Sequence, residues 1–363
     1  MRVTDFTRRL SPGSKGILTA SGTTIILGGL LCLFAGFTIV KFVLNFDQLE
    51  SLAEEHSNPG GDLSPSAETL GMAVTSEKSK SGVTAQDAVW LTAVNRYRAM
   101  VGVPPVVADA GLSRGDALHS HYLAVNYASQ SPNLRLGADA HTEDPAKPEF
   151  SLEGAEAARA SDIDWSWDPH NGPRASWAIE NWMAVPFHRM QIISPYLREV
   201  GYGTACEGAI CFAALNTGVD IDAPRAIPSP WPKPLMFPPD ASVIEMNEFS
   251  GEWPDPLTSC TGYAPPAGLP VTLELGHLIV PEVSEYSIRN TEDGTLIEAC
   301  ELDANKYVNP DRAAQNAARA VLSDFGAVII VPRQPLPPGR YTITVTAGLK
   351  YSWTFSIVLR NHE

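Results

Sequence analysis

Positive charge is what this chain has least of. Its 363 residues hold 26 Lys and Arg against 41 Asp and Glu, a formal net charge of −15. A polyanion binder needs a basic surface to displace counterions, so no nucleic-acid partner is expected. Charged residues together make up 18% of the chain, below the roughly 25% of ordinary soluble domains. No H-E-x-x-H stands for a zinc protease and no G-x-x-x-x-G-K-[ST] for a phosphate-binding loop. Cysteine is sparse, with five residues, and one of them, Cys32, lies in an apolar run. The other four fall into two local pairs, Cys206 with Cys211 and Cys260 with Cys300. Neither pair has the C-x₂-C spacing of zinc sites. An even number in local pairs reads as two disulfides and an oxidising compartment. With both closed, no thiol outside the apolar run is left to act as a nucleophile.

What is abundant is proline, 30 residues, and glycine, 28, which favours turns, edges and linkers over long helices. The apolar run from Gly16 to Val40 is 25 residues without a charge. At about 1.5 Å per residue it exceeds the roughly 30 Å hydrocarbon core of a bilayer. A cleaved signal peptide has a shorter apolar region, so an uncleaved anchor is the reading. Arg2, Arg8, Arg9 and Lys15 precede the run, while Asp47, Glu50, Glu54 and Glu55 follow it. The positive-inside rule then puts residues 1–15 in the cytoplasm, 16–44 across the membrane and the bulk outside. Residues 1–45 hold five of the bases and one of the acids, so the outer part carries 21 bases against 40 acids.

Residues 45–83 are rich in Ser, Gly, Glu and Pro without a sustained period and read as a flexible stalk. Order is expected from Thr84, where Trp90, Val94, Tyr97 and Val101 make one helical stripe ended by Gly102. A second helix is expected from Ser113 with Leu118, Tyr122 and Val125 on one face, and a third around 175–190, broken near Pro186. Residues 199–216 read as two short strands joined by the Cys206–Cys211 loop. Seven prolines between Pro224 and Pro239 mark a linker over 221–239. Beyond it, alternation at Val271–Leu275, Tyr341–Thr346 and Trp353–Val358, with an apolar run at Ala327–Val331, reads as a small Ig-like β-sandwich over 240–360 with one inserted helix near 310–323.

Three stretches over about 84–218 resemble the CAP superfamily, the cysteine-rich secretory, antigen 5 and pathogenesis-related fold, in its bacterial form. They are Leu91–Val106 (LTAVNRYRAMVGVPPV, with N-x-x-R), Leu112–Asn126 (LSRGDALHSHYLAVN) and Glu180–Gly203 (ENWMAVPFHRMQIISPYLREVGYG), and His141-Thr-Glu-Asp sits where the family has a histidine. The resemblance implies a CAP-type α-β-α sandwich over 84–220, so that with the β-sandwich and the one transmembrane helix read above the whole chain is expected to be α+β. It implies a cleft of two histidines and two acids able to hold a divalent metal such as zinc in some members. Carried onto this sequence, these are His141, His188 and Glu180, with Glu143, Glu153 and Glu156 as candidates for the second acid. Here the chain departs from the family's Gly-Glu-Asn, having Glu153-Gly154-Ala155-Glu156 instead. His119 and His121, two apart on a helix, share no face and are expected on the surface. His170, in the Trp-rich stretch 162–177, belongs to a binding rim or to packing over the core.

Three functions follow as expectations. The first is a single-pass membrane protein binding an envelope, lipid or protein ligand in the CAP cleft. The second is a metal-dependent hydrolase on His141, His188, Glu180 and a second acid, with a metal-bound water as nucleophile. The third is a structural envelope protein whose cleft is degenerate and whose acids around 143–156 point to solvent.

Overall fold

The computed structural model describes residues 85–130, 134–167, 176–218, 233–277 and 279–359. The expected tail, anchor, stalk, His170 and most of the expected linker lie outside the described residues. Among the described residues no helix is long and apolar enough to cross a membrane.

The first helix, α1 (Ala85–Val101), buries the expected stripe of Trp90, Val94, Tyr97 and Val101, and Gly102 ends it at φ +74°. α2 (Ala110–Tyr127) starts three residues before Ser113, because the Asp109 side chain accepts from the Gly111 and Leu112 N–H groups. Its inward face also differs from expectation. Val125 is exposed, whereas Gly115, Asp116, His119 and Ser120 are buried beside Tyr122. α3 (Leu152–Ala160) is capped by Ser151, whose hydroxyl accepts from Gly154 N–H. Pro186 divides the third expected helix into α4 (Trp177–Ala184) and α5 (Pro186–Ile192).

Three antiparallel strands, Ser161–Trp167, Ile210–Asn216 and Gly203–Glu207, form the first sheet, with Ile210–Asn216 in the centre. Every residue of the central strand is buried. Its alternate residues serve two cores: Ile210, Phe212 and Ala214 join Tyr122 and Leu123 of α2, while Ala213 and Leu215 join Trp90 of α1 and Trp182 of α4. Period-two alternation thus places helices on both faces, giving α-β-α layers.

Two motifs hold the layers together. Asn95 bonds the backbone of Val106 through both amide atoms, at 3.0 and 2.8 Å. The buried Arg98 guanidinium donates to the carbonyls of Pro104, Ile192, Ser194 and Leu197, pinning α1 to the end of α5. Gly203 exists for close approach: a Cβ there would lie 2.1 Å from Ala117 N on α2.

The C-terminal part starts before residue 240. Leu235–Phe237, placed in the expected linker, is a strand of a four-stranded sheet with Val271–Glu274, Ala327–Pro332 and Ala299–Leu302. A five-stranded sheet contains Leu296–Ile297, Val283–Asn290, Gly339–Ala347, Leu349–Ile357 and Ser242–Ile244. Strand Gly339–Ala347 alternates buried and part-exposed, as a half-buried strand should. Val271–Glu274 alternates in sequence but is buried throughout, Thr272 and Glu274 included, because layers cover both its faces. The inserted helix α6 (Arg312–Phe325) starts at the Asp311 cap and ends at Gly326, φ +53°. Cys206–Cys211 and Cys260–Cys300 are both disulfides. One hydrophobic core runs from α1, α4 and α5 into both C-terminal sheets.

Candidate functional site

α5 and the segment around it carry the site, because Pro186 turns the chain so that Phe187, His188 and Arg189 leave α4 and meet the C-terminal part. His188 Nδ1 lies 2.8 Å from Glu252 Oε2, and the Phe187 N–H donates to both oxygens of the same carboxylate, at 3.3 and 3.2 Å. The Glu252 side chain is 1% exposed and that of His188 11%. Tyr307 packs edge-on against Phe187, with ring centroids 5.7 Å apart. Arg189 donates to Met183 O and Pro270 O and lies 4.3 Å over the Phe237 ring.

A cavity of about 50 Å³ opens beside this junction. His141, Ser161, Asp162, Phe187, His188, Gln191 and Thr217 line one side. Trp253, Pro254, Ala317 and Val321 line the other. His141 reaches it from the end of a 3-10 turn (Gly137–His141), its Nδ1 3.2 Å from Ala158 O and its ring 5.8 Å from that of Trp253. Ser161 Oγ is 2.7 Å from Asp116 Oδ1 and from Ala157 O, and Asp116 Oδ2 accepts from Asn216 N–H at 2.9 Å.

Burial and the neighbouring His188 charge lower the His141 pKa to about 4, so this imidazole is neutral. Burial would lower His188 as well, but the bond to Glu252 and the charges of Asp162, Glu252 and Asp164 outweigh it and raise the pKa to about 9. Glu252 is itself pushed up by burial, against the pull of His188, Phe187 N–H and Arg189. Three acids face one imidazole, so the pair is held as imidazolium and carboxylate. Asp164, desolvated but held by Asn181 and by the Trp165 N–H, sits at about 6.

His141 and His188 therefore share the cavity. The expected acids do not join them. Glu180 turns toward Arg96 on α1, 3.9 Å away and partly exposed. Glu143 is buried but bonds His119 Nδ1 at 3.0 Å and the Ser151 N–H at 3.0 Å. Glu153 pairs with Arg114 at 2.7 Å, and Glu156 is exposed on α3. Among the described residues no group of three or more His, Cys, Asp or Glu side chains could hold a metal ion. The donors present thus do not fit the zinc site that the resemblance implies. His119, expected on the surface, is fully buried, its Nε2 bonded to Ala140 O at 2.8 Å. His121 is half exposed beside Glu149.

Gly111-Leu112-Ser113-Arg114-Gly115 spells the G-x-S-x-G of a nucleophile elbow. Ser113 instead lies within α2, donating to Asp109 O and accepting from Tyr202 N–H, so the strand-to-helix turn that exposes such a serine is absent here. Among the described residues no serine hydroxyl bonds an imidazole.

Sequence reasoning missed Glu252 and Trp253. They are remote in sequence from His188 and follow no motif.

The α-β-α layers and the two-histidine cleft define a CAP-type domain. The family model described as CAP, the Cysteine-rich secretory protein family, matches residues 91–216, so the chain carries a CAP superfamily domain there. No curated protein matches the sequence. Among solved structures, PcoC, a methionine-rich copper resistance protein from Escherichia coli, aligns at 12% identity and TM-score 0.20, over 34% of this chain and 93% of that one. Its selenomethionine form aligns at 13% and 0.19, over 36% and 100%. Likenesses at these TM-scores carry no argument.

Proposed function

We propose that this protein is a membrane-tethered, extracytoplasmic CAP-domain protein that binds, rather than turns over, an envelope or extracellular ligand in the His141–His188 cleft. The observation that carries this reading is the commitment of the cleft's reactive groups. His188 is bound to Glu252, His141 Nδ1 faces the Ala158 carbonyl, and Ser161 faces Asp116. Among the described residues no imidazole stands beside a serine hydroxyl, the Ser161 hydroxyl is shared between the Asp116 carboxylate and the Ala157 carbonyl, and the acids that the resemblance offers for a metal are engaged elsewhere. What is left is a small mixed wall of aromatic, aliphatic and polar groups, the ordinary make-up of a recognition site. The two disulfides support an oxidising compartment, and the 25-residue apolar run supports the anchor.

The test uses the full chain. Carbonate extraction should leave it in the membrane pellet, and external protease should reach the C-terminal part. Native mass spectrometry of the purified protein should show a bound small molecule that is released on denaturation. Stoichiometric zinc, lost in His141→Ala/His188→Ala together with a hydrolytic activity, would replace this reading by the metal hydrolase. Neither ligand nor metal would leave the structural envelope protein.

A further inference from the structure

The family match ends at residue 216, yet five of the twelve residues of the cavity wall and the acid that holds His188 lie beyond it. Glu252 anchors the junction through His188 Nδ1 and the Phe187 N–H. Trp253 packs against the His141 ring, and α6 supplies Ala317 and Val321. With Nδ1 taken by Glu252, Nε2 is the ring nitrogen of His188 that remains to meet a ligand.

We infer that the ligand site is composite: the C-terminal part completes it, Glu252 is a positioning residue that fixes the His188 ring, and the cavity takes an uncharged acceptor group of acetamido size. The size follows from the volume. About 50 Å³ holds a few waters or a group of three to four non-hydrogen atoms, not an acyl chain or a whole sugar. The polarity follows from the donors and charges. A ring whose Nδ1–H is given to a carboxylate presents Nε2–H, which seeks an acceptor. Asp162 in the wall and Glu252 and Asp164 close behind it oppose an anionic acceptor, and the His188 imidazolium opposes a cation at the same point. Phe187, Trp253 and Val321 suit the methyl of an acetamido group. This inference rests on the cleft being a binding site and goes further in saying what completes it and what it holds.

Saturation-transfer NMR on the full chain, with acetamide, N-acetylglucosamine, glucosamine and acetate as probes, tests it. Saturation should reach the acetyl methyl of the first two probes. N-acetylglucosamine above acetamide marks an amino sugar as the source; equal signals mark the amide alone. Glucosamine, which lacks the acetyl acceptor, and acetate, whose charge Asp162, Glu252 and Asp164 oppose, should give signals weaker by about tenfold. Ala317→Phe, which fills the cavity from a part-exposed helix position, and Trp253→Ala should each remove the methyl signal. Glu252→Gln should change the His188 ring ¹⁵N tautomer signature and weaken binding by about tenfold, with the circular-dichroism spectrum kept. A methyl signal unchanged by Ala317→Phe and Trp253→Ala overturns the composite site. Acetate binding as well as acetamide overturns the polarity. If no probe binds while native mass spectrometry still shows a retained ligand, this inference falls and the binding reading stands; if neither appears, both fall.

Discussion

His188 and Glu252 form a buried ion pair whose members come from parts of the chain 64 residues apart. Removing one partner leaves the other charged and desolvated, which costs about 3–5 kcal/mol. Glu252→Ala and His188→Ala should each lower the urea midpoint strongly, while the double variant should lose far less than the sum. Additive losses would show that the pair contributes nothing as a pair. Two other buried acids set a pH dependence. Asp116 is raised to about 7 by burial against the Ser161 and Asn216 hydrogen bonds, and Glu274 to about 8 by burial against the Arg189 charge. Both folded values lie above the unfolded ones, so the folded state holds the extra protons. Their contribution is present below about pH 4 and is lost as pH rises through 7 and 8. Wild type should therefore lose stability from pH 4 to 8 relative to Asp116→Asn and Glu274→Gln, by at most about 4 kcal/mol per group. Parallel curves for wild type and variants would contradict the assignment.

At the scale of elements, glycine and disulfides make separable contributions. Gly203 lies where α2 crosses the sheet, and a Cβ would enter the Ala117 backbone. Gly203→Ala should cost about 3 kcal/mol or more, because backbone must shift. Gly208 has open space around it but φ +60°, so Gly208→Ala should cost only about 1 kcal/mol. Chemical denaturation of both variants decides between crowding and backbone strain. The disulfides differ in the loops they close, with separations of 5 and 40 residues. Loop-closure entropy assigns about 2 kcal/mol to Cys206–Cys211 and about 4 to Cys260–Cys300. Replacing each pair by serines should reproduce that order in urea midpoints. Much of this level was legible in advance: the α1 stripe, the Pro186 break, the paired cysteines and strand Ala327–Pro332 all follow from local periodicity and punctuation. The face of α2 was not. Its buried side carries Asp116, His119 and Ser120, whose polarity is satisfied by Asn216, Glu143, Ala140 and Gly203, partners 21 to 100 residues away.

At the scale of the whole molecule, the CAP domain and the C-terminal sheets share one core, with Arg189 and Phe187 buried between them. Calorimetry of the full chain should give one transition covering both parts, and Glu252→Ala should lower it as a whole. Two transitions, with only one moved by the substitution, would mean that the parts unfold independently. The sequence marked a linker over 221–239 between the two parts. Its last residues, Leu235–Phe237, instead form a sheet edge carrying the ring under Arg189.

The sequence by itself determined the elements whose signals are local: helices by apolar period, their ends by glycine and proline, the disulfides by parity and spacing, the CAP resemblance by the order of three stretches. It also singled out His141 and His188, which the fold does bring to one cavity. Only the tertiary structure decided which acid meets His188. A carboxylate's role depends on what is within about 3 Å of it, and no periodicity records that distance. Glu180, adjacent to the motif, turned to Arg96; Glu252, far from it and outside the family match, was desolvated against the imidazole, because core packing brought its loop there.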